Sequence, residues 1–146
     1  MLKVILILSI VIYSFKHSYS QNFQWELLPN SPIPDSVSQR FEDIVMVDPN
    51  TGWIAQYSGK LFKTTDGGNS WTENLLASNF PFGNFRSLGF FNSQFGLLGT
   101  LNSFAPLRRT TNGGQTWNTV NNIPAPVPYG ICGISIVNST TAIATG

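Results

Sequence analysis

Lys63-Thr64-Thr65-Asp66-Gly67-Gly68-Asn69-Ser70-Trp71 is followed 46 residues later by Arg109-Thr110-Thr111-Asn112-Gly113-Gly114-Gln115-Thr116-Trp117. The two stretches correspond position by position: a basic residue, two threonines, Asp or Asn, a glycine pair, an amide, a hydroxyl and Trp. Trp25 stands a further 46 residues before Trp71. A fixed period of this length marks a repeat architecture. Upstream of each box, Asp48-Pro49-Asn50-Thr51-Gly52-Trp53 pairs with Asn92-Ser93-Gln94-Phe95-Gly96-Leu97. The second unit is two residues longer, and the extra residues fall around Asn102 to Pro106. A third unit starts with Ile131 to Val137 and Asn138-Ser139-Thr140-Thr141-Ala142, and the sequence ends at Gly146 before a third box.

Each unit reads as four short strands. In the first, Phe41 to Val47 is apolar and β-prone, and Asp48 to Gly52 is a turn. Trp53 to Tyr57 follows, then a Ser58-Gly59 turn, Lys60 to Thr64, the box turn, and Trp71 to Leu76. Asp-Gly-Gly and Asn-Gly-Gly are strong hairpin signals, because these residues tolerate the positive φ of such turns. No sustained helical periodicity runs through this region. Four-stranded units at this spacing are β-propeller blades. The expectation is an all-β chain holding about two and a half antiparallel blades, over residues 40–76, 84–120 and 130–146. Propellers close with roughly four to eight blades, so the sequence is expected to be part of a longer one. Gln24 to Leu28 resembles the strand after a box without its box, and is expected to be an outer strand that closes the ring.

Composition narrows the function. Charged residues are 10% and aromatic residues 13% of the 146 residues, which excludes global disorder and a coiled coil. A net charge of +1 without a basic run argues against nucleic acid as a partner. Lys3 followed by the apolar run Val4 to Phe15, with Ser18-Tyr19-Ser20 ahead of Gln21, reads as a signal peptide over residues 1–20. The run is shorter than the ~20 residues of a membrane span. The mature chain is therefore expected to be secreted, extracellular or periplasmic, with no stable membrane insertion. The single Cys132 excludes a disulfide within the chain and any Cys-pair zinc site, and its apolar neighbours suggest a core thiol.

Thr64-x-Asp66-x-Gly68-x-Ser70-Trp71 resembles the Asp-box, or BNR repeat, Ser/Thr-x-Asp-x-Gly-x-Thr-Trp. Thr110, Gly114, Thr116 and Trp117 repeat it with Asn112 in place of Asp. With the preceding Gly-Trp and glycine turn, the chain resembles the photosystem II stability/assembly factor-like propellers. Related boxes occur in sialidases, xyloglucanases and sortilin-type receptors. The resemblance implies a propeller, and for that family assembly-factor work. It marks fold far more than activity.

The residues themselves favour a structural box. A short carboxylate or amide at a hairpin tip accepts turn N–H groups, and Asn112 does so without charge, whereas a catalyst would lose its chemistry. Calcium would need acidic residues at alternate positions, which are absent. His17, the one histidine, lies in the leader, so no Ser-His-Asp or Cys-His arrangement is available. No zinc-protease or phosphate-loop motif occurs. No catalytic residue, metal or cofactor is expected. Of the acidic residues, Asp35, Glu42, Asp43 and Asp48 could furnish a glycosidase pair, but Asp48 reads as a turn residue and Glu42-Asp43 as solvated strand-start charges, one of them facing outward. Arg40 and Arg86 are 46 apart, yet the Gly52/Gly96 anchor aligns the units at 44, so they are not equivalent positions. Phe85, Phe90 and Phe91 are expected between blades. Phe80 and Phe82, with Arg40 and Arg86, are the candidate partner contacts. Asn138-Ser139-Thr140 is a glycosylation sequon. The leading expectation is a secreted non-catalytic scaffold for a protein or peptide partner, with carbohydrate a possible ligand. The alternatives are a secreted Asp-box glycoside hydrolase and a propeller module of a larger adhesin.

Overall fold

The computed structural model describes residues 25–34, 36, 39–75 and 84–146. Residues 1–20, where a signal peptide is expected, and Asp35, Phe80 and Phe82 lie outside them. The described residues form ten strands: β1 (Phe41–Met46), β2 (Gly52–Gln56), β3 (Lys60–Thr64), β4 (Thr72–Leu75), β5 (Phe85–Phe90), β6 (Gly96–Thr100), β7 (Leu107–Thr110), β8 (Asn118–Thr119), β9 (Gly133–Ile136) and β10 (Ala142–Thr145). They form two four-stranded sheets in sequential order and one two-stranded sheet. Every pairing is antiparallel. The first strands of the three blades, β1, β5 and β9, lie side by side.

The same local chemistry closes the first hairpin of each blade. Asp48 Oδ1 accepts the N–H groups of Asn50 and Thr51 at 2.8 and 2.7 Å. Asn92 Oδ1 accepts those of Gln94 and Phe95 at 2.8 and 2.9 Å. In the third blade Asn138 Oδ1 accepts the Thr140 N–H at 2.9 Å. The short side chain supplies a turn acceptor at that offset. In the second blade the two-residue-longer loop is closed by Thr100, whose hydroxyl donates to the Ala105 carbonyl at 2.9 Å.

The core sits between blades. Trp53, Ala55 and Leu61 of the first blade pack with Phe85, Leu88, Phe90, Leu98 and Trp117 of the second, and Val45 and Val47 close the edge. Trp53 stacks on Phe90 with ring centroids 3.7 Å apart and an interplanar angle of 8°. Phe90 meets Trp117 edge-on at 5.9 Å. Aromatic pairs in such geometry add to the large area they bury. The next interface uses smaller residues. A side chain at Gly89 or Gly99 would collide with Ile134 or with Ile131, so these glycines let β9 approach the second blade. Phe85 and Phe90 are buried between blades as expected, and Phe91 is half-buried.

Trp25 to Leu28 is not a strand within the described residues, which do not include the partner strands expected for it, and Trp25 and Leu27 are exposed. Instead Leu28 lies against Gly68, and Asn30 Nδ2 donates to the Asn69 carbonyl at 2.9 Å, so this segment runs over the first box. Cys132 is exposed and carries no disulfide. The inward position is taken by its neighbour Ile131, and alternation along an extended chain turns Cys132 the other way.

Trp53→Ala should lower the unfolding free energy by about 3–5 kcal/mol, because it leaves a cavity between two sheets. That is a large part of a total of about 5–15 kcal/mol. Urea titration followed by fluorescence checks it, and a loss below about 1 kcal/mol would contradict the inter-blade core.

Candidate functional site

The box is a closed hydrogen-bonded turn. Thr64 is buried, and its hydroxyl oxygen accepts the N–H groups of Gly68 and Asp66 at 2.8 and 3.3 Å. That hydroxyl donates to Asp66 Oδ1 at 2.9 Å. Asp66 also accepts the Ser70 N–H at 2.8 Å and the Ser70 hydroxyl at 2.6 Å. Trp71 Nε1 donates to the Gly68 carbonyl at 3.1 Å. Gly67 and Gly68 have φ of 72° and 91°, and Gly113 and Gly114 have 67° and 86°, which explains the glycine pair.

The second box repeats the first with one proton reversed. Asn112 Oδ1 accepts from the Thr110 hydroxyl at 3.0 Å and the Thr116 N–H at 2.9 Å. Its amide Nδ2 donates to the Thr116 hydroxyl at 2.8 Å, where Ser70 donated to Asp66. The Gly114 N–H goes to the Thr110 hydroxyl, and Trp117 Nε1 to the Gly114 carbonyl. Asp66 is thus a turn acceptor that an amide replaces. Donation by the Ser70 hydroxyl, then its N–H, then Thr64 holds the Asp66 carboxyl below the usual aspartate range. The Asn50 and Thr51 N–H groups hold Asp48 low in the same way.

The second box is also a joint. Trp53 Nε1 and Lys63 Nζ reach the Gly113 carbonyl at 3.3 and 3.4 Å, and Asn74 Nδ2 donates to the Gly114 carbonyl at 2.8 Å. A cleft of about 300 Å³ beside it is lined by Lys63, Thr72, Asn74, Gly114 and Gln115 over Trp53. The Trp53 ring is covered by Phe90 and by the Lys63 ammonium 5.1 Å away. It offers no free face on which a sugar could stack.

The charged residues gather elsewhere, where β1 and β5 begin. Register shifts at Phe41/Asp43 and at Phe85/Ser87 make Glu42 and Arg86 the bulge residues of equivalent strands. Arg86 Nη1 lies 2.7 Å from Glu42 Oε2, and Arg40 Nε lies 2.5 Å from Glu42 Oε1. The Arg40 guanidinium also sits 4.6 Å over the Tyr57 ring. The Glu42 side chain is 9% exposed and that of Arg40 55%. Asp43 accepts the Leu88 N–H at 2.7 Å and the Ile44 N–H at 2.8 Å. Glu42 and Asp43 are therefore not solvated charges on opposite faces. A bulge suspends the two-residue alternation, and both carboxylates turn toward the second blade.

Arg40 and Arg86 are not equivalent in the repeat, as the 44-residue alignment says, yet they meet on one carboxylate. The spacing argument missed this because it compared them with each other and not with Glu42. Phe104, in the longer loop, and Tyr129 are exposed aromatics that the sequence reading passed over. The length difference around Asn102 to Pro106 was the signal for Phe104. Among the described residues no group of three or more His, Cys, Asp or Glu could hold a metal ion.

Two four-stranded antiparallel sheets with boxes at equivalent turns, and a third hairpin against them, define a repeat protein of the box-bearing β-propeller class. Residues 18–143 match the family PSII_BNR, described as photosynthesis system II assembly factor YCF48, and the chain belongs to that family. A solved structure, "YCF48 bound to D1 peptide", is similar with a TM-score of 0.58 and 23% identity, over 73% of this chain and 33% of that one. The crystal structure of the Niastella koreensis GH74 enzyme is similar with a TM-score of 0.50 and 27% identity, over 65% of this chain and 16% of that one. The chain thus spans about a third of the length of the first structure and about a sixth of the second. No curated protein matches it.

Two measurements test the box. Thr64→Val strands the buried Gly68 N–H and should cost about 1–3 kcal/mol in chemical denaturation; a neutral effect would contradict the hydroxyl's part. Asp66 and Asp48 have lowered folded values, so their stabilisation is complete above the usual aspartate range and is lost as pH falls through those lowered values. The Tm should therefore fall on acidification below about pH 4. Asp66→Asn should flatten that fall while changing the neutral-pH Tm little, since Asn112 already fills the role. A profile unchanged by the substitution would sink this account.

Proposed function

We propose that this chain belongs to an exported, non-catalytic propeller platform of the assembly-factor kind. It holds a protein or peptide partner where β1 and β5 begin. The observation that carries the reading is the meeting of Arg40 and Arg86, from two blades, around the single carboxylate of Glu42. Arg40 keeps much of its guanidinium in water, so the cluster can accept a further carboxylate from a partner. The peptide on the similar YCF48 structure supports a peptide as the class of partner. Phe80 and Phe82, which lie outside the described residues, and the exposed Phe104 are the apolar residues proposed to contact the partner. The leader sequence supports export.

Five of the six described acidic residues favour a platform over a hydrolase. Glycoside hydrolysis needs two carboxylates free to act across one cleft. Glu42 is paired with arginines, Glu73 with Lys60, and Asp43, Asp48 and Asp66 with turn or strand donors.

The test is fluorescence anisotropy with a labelled D1 peptide and a panel of carboxylate-terminated peptides. Saturable binding is expected, weakened at high salt. Arg40→Ala or Arg86→Ala should each weaken it about tenfold or more, since a hydrogen bond to a charged group contributes about 1.5–3 kcal/mol. Asp66→Asn should leave it unchanged. Absence of saturable binding across the panel, or binding indifferent to both arginines, would overturn the proposal.

A further inference from the structure

The second box contains the dipeptide Asn112-Gly113, and the turn itself demands the glycine. Gly113 has a φ of 67°, and a Cβ there would meet the Ser93 carbonyl oxygen at 2.8 Å. A glycine after Asn also leaves its backbone nitrogen unhindered toward the preceding side chain. That nitrogen can attack Asn112 Cγ. The N–Cγ bond forms, the Cγ–Nδ2 bond breaks, and ammonia leaves carrying the Gly113 amide proton. Water then opens the cyclic imide at either of its carbonyls, giving aspartate or isoaspartate.

The closed box opposes each part of that attack. Gly113 is buried, and its N–H donates to the Gln94 carbonyl at 2.9 Å, so the nitrogen keeps its proton. The Asn112 amide is held at both ends. Its Oδ1 accepts from the Thr110 hydroxyl at 3.0 Å and the Thr116 N–H at 2.9 Å, and its Nδ2 donates to the Thr116 hydroxyl at 2.8 Å. Attack needs these bonds to open together. The first box is the internal contrast. Asp66-Gly67 could close the same ring only by losing water from the neutral acid, and the Ser70 and Thr64 donors keep Asp66 a carboxylate at neutral pH.

We infer that Asn112 is a deamidation site gated by local opening of the second box. While the box is closed the amide persists, and when it opens Gly113 attacks. The two products differ in consequence. Aspartate is the residue the first box already carries, and the bonds around Asp66 show that a carboxylate closes this turn. Isoaspartate adds a methylene to the main chain and leaves its carboxylate directly on Cα, too short to reach Thr110 and Thr116 together. Each opening can therefore leave a covalent record, of which one form restores the box and the other prevents its closing. None of this depends on peptide binding at the arginines.

Peptide mass spectrometry with electron-transfer fragmentation, which separates aspartate from isoaspartate, tests this on protein held at neutral pH either folded or in guanidinium chloride. Asn112 should react in the unfolded chain and about a hundredfold or more slowly in the folded one, because several hydrogen bonds must open together. Thr116→Ala removes the hydroxyl that holds Nδ2 at an exposed position, and should speed the folded-state reaction about two- to tenfold, the factor that one hydrogen bond gives. Thr64→Val loosens the other box and should leave the Asn112 rate unchanged, which separates local opening from a general loss of stability. Near-UV circular dichroism checks that both variants are folded. After denaturant is removed from the reacted chain, brief proteolysis should spare the aspartate product and cleave the isoaspartate product. An unfolded chain that keeps Asn112 intact, a folded chain that reacts as fast as the unfolded one, a rate indifferent to Thr116→Ala, equal acceleration by Thr64→Val, or isoaspartate in the resistant fraction would each overturn the inference.

Discussion

Trp53 is the residue on which two repeats become one body. It leaves β2 directly after a glycine, lies flat on Phe90 of the next blade, and reaches the carbonyl of that blade's box. A lone four-stranded sheet of this size has two faces and too little area to bury either. Stacking faces turns the apolar residues of each sheet into a core, and the indole ties that core to the turn outside it. The box is therefore more than a tight corner. Its Trp packs inward on its own blade, while the buried Gly113 and Gly114 carbonyls receive Trp53, Lys63 and Asn74 from the neighbour.

This dual role explains why the fold was legible in the sequence. Each residue of the box satisfies a separate local demand: a hydroxyl for two turn N–H groups, an Asx acceptor, two positive-φ glycines, an indole lid. Both boxes answer these demands at the same spacing, and two copies in register are enough to read strands, turns and blades. The exchange of Asp66 for Asn112 was informative because it separated charge from geometry. The structure shows the same bonds with one proton reversed.

The charged site was only half legible. Arg40, Arg86, Glu42 and Asp43 were all visible as residues, but their meeting depends on bulges in β1 and β5 that leave no signature in residue type. Strand alternation placed Glu42 and Asp43 on opposite faces, and one inserted residue in the pairing brought both to the same neighbour. Cys132 was misread for a related reason. Its apolar neighbours suggested burial, but in extended chain a buried Ile131 implies an outward residue beside it. Composition of a window says less than the phase of the strand within it.

The repeat also separates what the fold requires from what it leaves free. The first-hairpin turn carries Asp48, Asn92 and Asn138, and the box carries Thr64 and Thr110, so these positions hold their chemistry from blade to blade. The bulge position does the opposite. It is Glu42 in the first blade, Arg86 in the second, and Cys132 stands at the corresponding place in the third. A backbone bulge needs no particular side chain, and β1, β5 and β9 run side by side. The chain therefore arrays three different chemistries around one end of its innermost strands without disturbing a blade. Acid and base neutralise each other across the first interface, while Arg40, the residue before β1, adds a second positive charge. Fixed positions serve turns and packing, and the positions that vary from blade to blade gather at that end.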